Sequence, residues 1–461
     1  MQENDTIAAI STPLGEGGIG IVRMSGTKAF DIGRAIFIPS VKMTRGYPEA
    51  RHLYHGHVLN KEGEIVDEVL ISFMPAPHTY TREDVVEINC HSGVFALRTI
   101  LKITMESGAR LAEPGEFTKR AFVNGRIDLS RAEAVINMIK ARSEEAVKAA
   151  ASNIRGDLAE KIKELRDKMI EARAPLEASF DYPEEYEMDD GDLKKIETII
   201  KYIKEEINSM LKDVDRNRAF QEGVSIAIIG KPNVGKSSLL NAMLKQQRAI
   251  VHEIPGTTRD LLEGYMNLGG YPIKLIDTAG IQGTDDPVEK EGIARSRKAA
   301  EQAKMIITVH DGSRKWEDED GEIAAMVKPG QGKVIVINKK DLGMKISLEK
   351  VKRCYKDAPI VQTAAIRGEG MSDLEEAAAE QMDLFFKGIS EGPAVISLRH
   401  EQIMKETLLC IEEAQKMLIK EPPELISLEL QNAWLKMGEI TGETIQEELL
   451  DKIFSEFCLG K

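Results

Sequence analysis

One stretch limits what this chain can fold into more than any other. From Val224 to Asn241 it reads V-S-I-A-I-I-G-K-P-N-V-G-K-S-S-L-L-N. The apolar run Val224–Ile229 has the pattern of a buried parallel strand. It stops at Gly230, and a helical pattern begins near Lys236. Between them Gly230, Gly235, Lys236 and Ser237 fill G-x-x-x-x-G-K-S, the phosphate-binding loop in its required setting of strand before and helix after. Such a loop turns its backbone N–H groups inward and makes an anion nest at a helix N-terminus. Glycine lets the backbone approach the phosphates closely. Lys236 is expected on the β- and γ-phosphates and Ser237 on Mg²⁺, with Asn233, Val234, Gly235 and Ser238 completing the loop's contacts.

Motifs downstream narrow the nucleotide. Asn338-Lys339-Lys340-Asp341 follows the apolar run Val334–Ile337 and fits N-K-x-D. Guanine presents two adjacent donors, N1–H and the 2-amino group, and one carboxylate accepts both. Adenine has no such pair, so Asp341 is expected to select GTP. Thr363-Ala364-Ala365 is expected to close over the base. Asp277-Thr278-Ala279-Gly280 follows the strand-like Ile273–Ile276; Asp277 would accept from a water on Mg²⁺, and the Gly280 N–H would sense the γ-phosphate. Gly256-Thr257-Thr258 lies between, where a loop would bring Thr258 to Mg²⁺. These matches occur in the order a GTPase domain requires.

The chain has 461 residues, too many for one ordinary core, so two or three domains are expected. A net charge of −14 and a pI near 5.3 argue against a broad basic surface gripping nucleic acid unaided; a partner would supply positive surface if RNA is a substrate. Cys90, Cys354, Cys410 and Cys458 are scattered with no C-x-x-C pair, which suits a reducing cytoplasm and offers no zinc site. Met1 to Asp5 lacks the regions of a signal peptide, and no uncharged run approaches a spanning length, so a cytoplasmic chain with no membrane contact is expected.

The flanks of the nucleotide domain read differently. Ile19–Met24, His52–Leu59, Val69–Met74 and Val85–Ile88 have strand patterns, Asn60–Gly63 a hairpin turn, and Val94–Glu106 a helix. Gly15–Gly20 is glycine-rich, either a turn or a loop that lets a ligand come close. Ser130 and Glu133 have the spacing of a capping box opening one long helical run, with Pro175 placed to kink it and Pro183 to end it. Glu184–Asp190 reads as a solvated acidic loop. Leu193, Ile196, Ile199, Ile200, Ile203, Ile207, Leu211 and Val214 keep a helical period. Helical patterning returns after Pro393. Helices on both sides of the nucleotide domain have an apolar face to cover, and packing on each other covers it. The expected fold is multidomain α+β and α/β. It has an N-terminal α+β domain at 1–118 and an all-helical central domain in two parts, 119–219 and 388–461. A Ras-like P-loop GTPase domain with a mainly parallel sheet is inserted at 220–387. An insertion of this kind couples nucleotide state to helix packing.

How GTP would be hydrolysed is less direct. Many small GTPases place Gln immediately after D-T-A-G to orient the attacking water. Here that position is Ile281, and Gln282 is one residue out of register. Two other candidates remain. Glu289 lies where the second switch should form, and its carboxylate can orient or polarise water; it can equally be a solvated acid at a helix start. Asn233 in the phosphate loop can hold a monovalent cation against the phosphates, doing the charge neutralisation of an arginine finger.

The whole chain resembles the bacterial tRNA-modification GTPase family MnmE, also called TrmE. The resemblance runs from Asp5-Thr6-Ile7 and Gly17–Gly20, through Pro114-Gly115-Glu116-Phe117 and Arg120-Ala121-Phe122, to Cys458-Leu459-Gly460-Lys461, which fits a C-terminal C-x-G-K signature. It implies C5 modification of the wobble uridine of certain tRNAs, to carboxymethylaminomethyl or aminomethyl, with a one-carbon unit from 5-formyl- or methylene-tetrahydrofolate. It implies a homodimer through the N-terminal domains, and a heterotetramer with the FAD-containing MnmG (GidA). It also implies GTPase domains that meet, and hydrolyse faster, when K⁺ and GTP are bound. By matching motif, Asn233, His252, Ile254 and Thr257 would surround K⁺, Ser237 and Thr258 would hold Mg²⁺, Glu253, Pro255 and Gly256 would join the GTP contacts, and Glu289 falls on the family's catalytic glutamate. The folate site carries over as Arg23, Glu87, Arg126 and Lys461. Position 126 is Arg where some relatives have Lys, which keeps the charge and changes the contact geometry. Cys458 is open to two readings, a nucleophile or a structural residue. A competing class, a GTP-switched assembly factor acting for instance in ribosome maturation, shares the nucleotide motifs but has no use for the N-terminal domain and the C-terminal signature.

Overall fold

The computed structural model describes residues 5–41, 49–141, 143–212, 223–247, 265–268, 271–276, 297–328, 330–386, 396–418, 420–457 and 460. The chain builds two sheets and a helical bundle whose two halves lie far apart in sequence.

The N-terminal sheet has seven strands in the order β3-β4-β5-β6-β2-β1-β7. They are β1 Ile7–Ile10, β2 Gly20–Ser25, β3 Phe37–Pro39, β4 Leu53–Leu59, β5 Ile65–Met74, β6 Val85–Cys90 and β7 Arg110–Leu111. The expected strands are all present, and the Asn60–Gly63 turn joins β4 to β5 antiparallel. β1, β3 and β7 escaped the pattern reading because segments of two to four residues give too little alternation to recognise. Helices α1 (Ala29–Ile36) and α2 (Val94–Glu106) cover one face, over a core that includes Val22, Met24, Ile71, Phe73, Val86, Ile88, Leu97 and Ile100. The other face presents Arg23 and Glu87, directly opposite each other on β2 and β6.

The long helical run is three helices, not one: α4 Leu129–Lys140, α5 Glu144–Arg155 and α6 Asp157–Asp181, after α3 Glu116–Val123. Gly156, at φ 113, breaks the run between α5 and α6; α6 carries Pro175 inside it and ends just before Pro183. The capping box at Ser130 and Glu133 is corrected as well. The cap is Asp128, whose carboxylate accepts from the Arg131 N–H at 3.0 Å. Ser130 is inside the helix, bonded to Asp128, and Glu133 points away to other helices. Asp is as good a cap as Ser, so sequence spacing could not choose between them. Glu184–Asp190 is a largely exposed connection into α7 (Asp190–Lys212).

The chain leaves the bundle after α7 and returns at Ile396. One continuous core then joins Leu158, Leu165, Met169, Ile196, Ile200 and Ile207 to Ile403, Met404, Ile411, Leu430, Met437 and Ile440. The later residues sit on α12 (Leu398–Met417) and α13 (Pro423–Thr441). The segment between α7 and α12 is therefore inserted in a helical domain, and each half of the bundle buries the apolar face of the other. The expected boundaries at 219/220 and 387/388 lie outside the described residues; the one at 118/119 falls within α3.

The inserted domain has a six-stranded sheet ordered β13-β12-β11-β8-β10-β9, parallel except for the β9–β10 pair. Its strands are β8 Val224–Ile229, β9 Tyr265–Leu268, β10 Tyr271–Ile276, β11 Met305–Asp311, β12 Gly332–Asn338 and β13 Ile360–Gln362. Helices α8 (Lys236–Gln247), α9 (Asp318–Ala325), α10 (Leu348–Cys354) and α11 (Met371–Phe386) belong to the same unit. Among the described residues no helix is long and apolar enough to cross a membrane.

Candidate functional site

The carboxyl ends of parallel strands are where ligands bind in open α/β sheets. Here β8, β11 and β12 bring three polar segments to that edge. β8 ends just before Gly230, whose φ of 155 is one that side-chain-bearing residues rarely adopt, and a Cβ there would lie 2.4 Å from the Val309 carbonyl. Asn233 at φ 62 and Gly235 at φ 98 supply the left-handed turns of the loop. A Cβ on Gly235 would sit 2.2 Å from Asn338 Nδ2, so glycine is required for contact with the base-reading motif.

Lys236 folds back over the loop and donates to the carbonyls of Gly230 at 2.9 Å and Lys231 at 2.8 Å. Burial pushes its pKa below the ordinary lysine value. Two neutral carbonyls cannot balance the ammonium charge; a phosphate can, so the residues fit the group expected there. Ser237 opens α8 beside it.

Asn338 is buried and spans two loops. Its Nδ2 donates to the Val234 carbonyl at 3.0 Å, and its Oδ1 accepts from Thr363 Oγ1 and the Ala365 N–H, both at 3.1 Å. Thr363, Ala364 and Ala365 are buried against this amide, and the Lys340 N–H reaches the Thr363 carbonyl at 3.0 Å. Lys339, in a left-handed turn, donates to the Asn233 carbonyl at 2.6 Å and to Asp311 Oδ2 at 2.7 Å. Burial alone would raise the Asp311 carboxyl, but Lys339 and Ser313 hold it below its ordinary value. Asp341 has its carboxylate 3.5 Å from Arg367 Nε, on the loop after Thr363. The structure thus brings Asn233 to Ser238, Asn338, Lys339, Asp341 and Thr363 to Ala365 to one edge. His252 to Thr258, Asp277 to Gly280 and Glu289 lie outside the described residues.

Two residues here were missed from the sequence, His310 and Asp311. A signal was present: a polar pair ending the apolar run Met305–Val309, at a parallel strand's carboxyl end.

A second polar site lies on the open face of the N-terminal sheet. Arg23 Nε and Nη2 both converge on Glu87 Oε1 at 2.7 Å. Among the described residues Glu87 Oε2 has no partner and keeps its lone pairs for a donor. Arg23 Cζ lies 5.8 Å from the centre of the buried Phe117 ring, and Phe117 packs in one cluster with Ile7, Ala9, Ala112 and Tyr80. Arg126 stacks over Tyr80, 4.7 Å from its ring centre, and donates to the Tyr80 carbonyl at 3.1 Å. Arg23, Phe117, Tyr80 and Arg126 therefore form a row with a cation at each end and two aromatic rings between.

Gly460 docks at the end of β1, in the same sheet. Ser11 Oγ donates to the Gly460 carbonyl at 3.2 Å, and a Cβ on Gly460, at φ 89, would fall 2.3 Å from the Ile10 carbonyl. Ile10 ends β1, which pairs with β2 so that Ala9 faces Arg23. Cys458 and Lys461 lie outside the described residues. The glycine-rich loop ahead of β2 is tied down by Ser92 Oγ, which accepts from the Gly17 N–H at 2.8 Å and also donates to the Gly17 carbonyl.

Comparison with known proteins places the whole chain. Residues 6–126 match the family described as GTP-binding protein TrmE N-terminus, and residues 129–458 match the MnmE helical domain. The tRNA modification GTPase MnmE of Geobacillus thermodenitrificans is 43% identical over 467 residues, covering 100% of both chains. That of Bacillus subtilis is 41% identical over 462 residues, covering 99% of this chain and all of the relative. Among solved structures, Aquifex aeolicus Era bound to GDP and aluminium fluoride matches at 24% identity with a TM-score of 0.26. It covers 40% of this chain and 67% of that one, too slight a likeness to weigh.

Proposed function

The chain belongs to the MnmE family of tRNA modification GTPases, and on that premise we propose that it is a K⁺-stimulated GTPase driving C5 modification of the wobble uridine in certain tRNAs. The product is the carboxymethylaminomethyl or aminomethyl group, and an FAD-containing flavoprotein, MnmG, works with it. The one-carbon unit comes from 5-formyl- or methylene-tetrahydrofolate. The chain acts in the cytoplasm as a homodimer, within a heterotetramer with the flavoprotein.

The observation that carries this reading is the arrival of Gly460 at the end of β1, the strand whose Ala9 pairs with Arg23. A domain that only switched on GTP would have no reason to deliver its C-terminal residues to a polar site on a different domain. There Glu87 Oε2 accepts from the pterin's amino and ring N–H donors, while Arg23, Arg126 and Lys461 face its carbonyl and anionic groups. The aromatic rings of Phe117 and Tyr80 hold the two arginines in place.

In the inserted domain, Lys236 holds the β- and γ-phosphates and Ser237 and Thr258 hold Mg²⁺. Asp277 accepts from a water of that ion, and the Gly280 N–H reads the γ-phosphate. Asn233, with His252, Ile254 and Thr257, holds K⁺, the middle two through backbone oxygens. The two cations supply positive charge to the phosphoryl oxygens when bound. Glu289 orients the attacking water, and Asp341 accepts both guanine donors. Asn338 keeps the base and phosphate ends of the site at a set distance.

Nucleoside analysis of tRNA from cells lacking the gene tests the reading. The modified wobble uridine is expected to be missing and to return when the gene is restored. Intact wobble modification would sink the proposal and favour an assembly factor.

A further inference from the structure

Three consecutive residues at the end of β11 bracket the phosphate-binding loop. The Val309 carbonyl sits where a side chain on Gly230 would have to go. Asp311 holds Lys339, which reaches the Asn233 carbonyl in the loop's middle. His310, between them, is 1% exposed, and its side chain meets Asp320, Tyr355 and Trp316 rather than the loop itself.

His310 is fully engaged. Its Nε2 lies 2.8 Å from the hydroxyl of Tyr355, the residue after α10, and its Nδ1 lies 3.0 Å from Asp320 Oδ1 on α9. The Trp316 ring packs on it with centres 5.1 Å apart. Asp320 Oδ2 accepts from the Glu317 N–H at 3.0 Å and lies 3.2 Å from Lys231 Nζ. Lys231 also meets Glu317 at 2.5 Å and Glu319 at 3.2 Å. It is the residue after Gly230, and its own carbonyl is one of the two that hold Lys236. Polar contacts therefore run from Tyr355 through His310 and Asp320 to the Lys231 ammonium, and the backbone carbonyl of the same Lys231 holds the lysine that faces the phosphates.

The charges along this line fix its protonation. Burial alone would raise the Asp320 carboxyl, but the Glu317 N–H, His310 and Lys231 pull it below its ordinary value. Burial pushes His310 below its ordinary 6.5, against the pull of Asp320 and with the help of Lys231. At neutral pH the imidazole is uncharged: Nδ1–H donates to the carboxylate, and Nε2 accepts from the Tyr355 hydroxyl. Adding a proton changes both ends. The imidazolium competes with Lys231 for the Asp320 carboxylate, and Nε2 no longer accepts from Tyr355.

We propose that His310 and Asp320 are positioning residues for the phosphate-binding loop, acting through Lys231 to set its grip on the nucleotide. The inference rests on GTP being the ligand of this loop. A group that acts only on how the loop is held should change KM more than kcat.

The test is steady-state GTP hydrolysis by the full chain in KCl and Mg²⁺ at pH 7.5. Asp320→Asn is expected to raise KM for GTP about fivefold or more at pH 7.5, with kcat within about twofold. His310→Gln keeps a donor and an acceptor but cannot charge. It is expected to keep KM for GTP within about twofold of the unmutated chain at pH 7.5, whereas His310→Leu, which leaves Asp320 without its donor, is expected to raise KM about fivefold. Lys231→Gln, at the loop's surface, is expected to reproduce the Asp320→Asn effect and decides the matter should Asp320→Asn fail to fold. An unchanged KM in Asp320→Asn, or in Lys231→Gln where Asp320→Asn does not fold, overturns the inference. So does an unchanged KM in His310→Leu. Absence of GTP hydrolysis by the unmutated chain would instead overturn the GTPase reading itself.

Discussion

The side-chain amide of Asn338 donates to the Val234 carbonyl at 3.0 Å, so the residue that opens the base-reading motif also holds the loop that cradles phosphate. The other end of the same amide accepts from Thr363 and Ala365. Replacing Asn338 by Ala leaves those buried groups unpaired, at a cost of about 1–3 kcal/mol. Affinity for GTP is expected to fall by about tenfold or more, and the thermal melting midpoint to drop. Calorimetric titration with GTP and a melting scan read the two effects; wild-type affinity would show that the bridge does not matter to binding.

The proposed reading of guanine by Asp341 depends on its two acceptor oxygens. In Asp341→Asn one of them becomes a donor and faces a guanine N–H. GTP should lose about two powers of ten in affinity relative to the unmutated chain. Competition between GTP and ATP for the variant measures the preference, and retention of full GTP selectivity would remove Asp341 from base reading.

Hydrolysis in KCl and in NaCl at equal ionic strength addresses the cation expected at Asn233. A rate at least about tenfold higher in KCl is expected, because a bound cation offsets charge that develops on the phosphoryl oxygens. Glu289→Ala should then lower kcat by about 10²-fold or more with little change in GTP affinity. Equal, slow rates in both salts would remove the K⁺ site and direct attention to an external activating protein.

Glu133 ties the two halves of the helical bundle together. It meets Arg399 Nε at 2.8 Å and His400 Nε2 at 2.5 Å, on a helix that begins just after the chain returns from the inserted domain. Burial alone would raise its carboxyl, but His400 and Arg399 hold it well below the usual carboxylate range, at about 2. A depressed folded-state pKa stabilises the fold above the unfolded value of 4.5, and that stability drains away as pH falls from 4.5 towards 2. Acid unfolding of the bundle is expected in that window. Glu133→Gln should lower stability by about 3 kcal/mol at pH 7, since it leaves a buried cation uncompensated. It should also flatten the acid limb; urea melts at pH 7 and at pH 4 measure both.

Gly460→Ala tests whether the C-terminal end must dock on β1. At φ 89 the added Cβ would lie 2.3 Å from the Ile10 carbonyl, so the tail must shift. Wobble modification should fall by about tenfold or more while GTP hydrolysis stays near the unmutated rate, because the two sites are on different domains. Full modification in the variant would mean the docked tail plays no part in the one-carbon site.

What the sequence determined by itself is local chemistry. Gly230, Gly235, Lys236 and Ser237 are close in the chain, and so are Asn338, Lys339 and Asp341; each group draws its meaning from a strand end and the turn that follows it. The helical period of Ile196, Ile199, Ile200, Ile203 and Ile207 likewise identified a buried face, and the presence of unpaired faces on both flanks pointed to the insertion. Tertiary structure decided which distant residues meet. Nothing in the spacing of Glu133 says that it will pair with Arg399 rather than cap a helix, because Asp128 is an equally good cap and the partner is 266 residues away. Nothing local says that Gly460 will lie on Ser11, 449 residues earlier, or that His310 will reach the phosphate loop through a helix of its own domain. Local motifs are legible because backbone geometry over a few residues is set by those residues. Charge networks are not, because a carboxylate takes whichever cation the packed cores bring within reach.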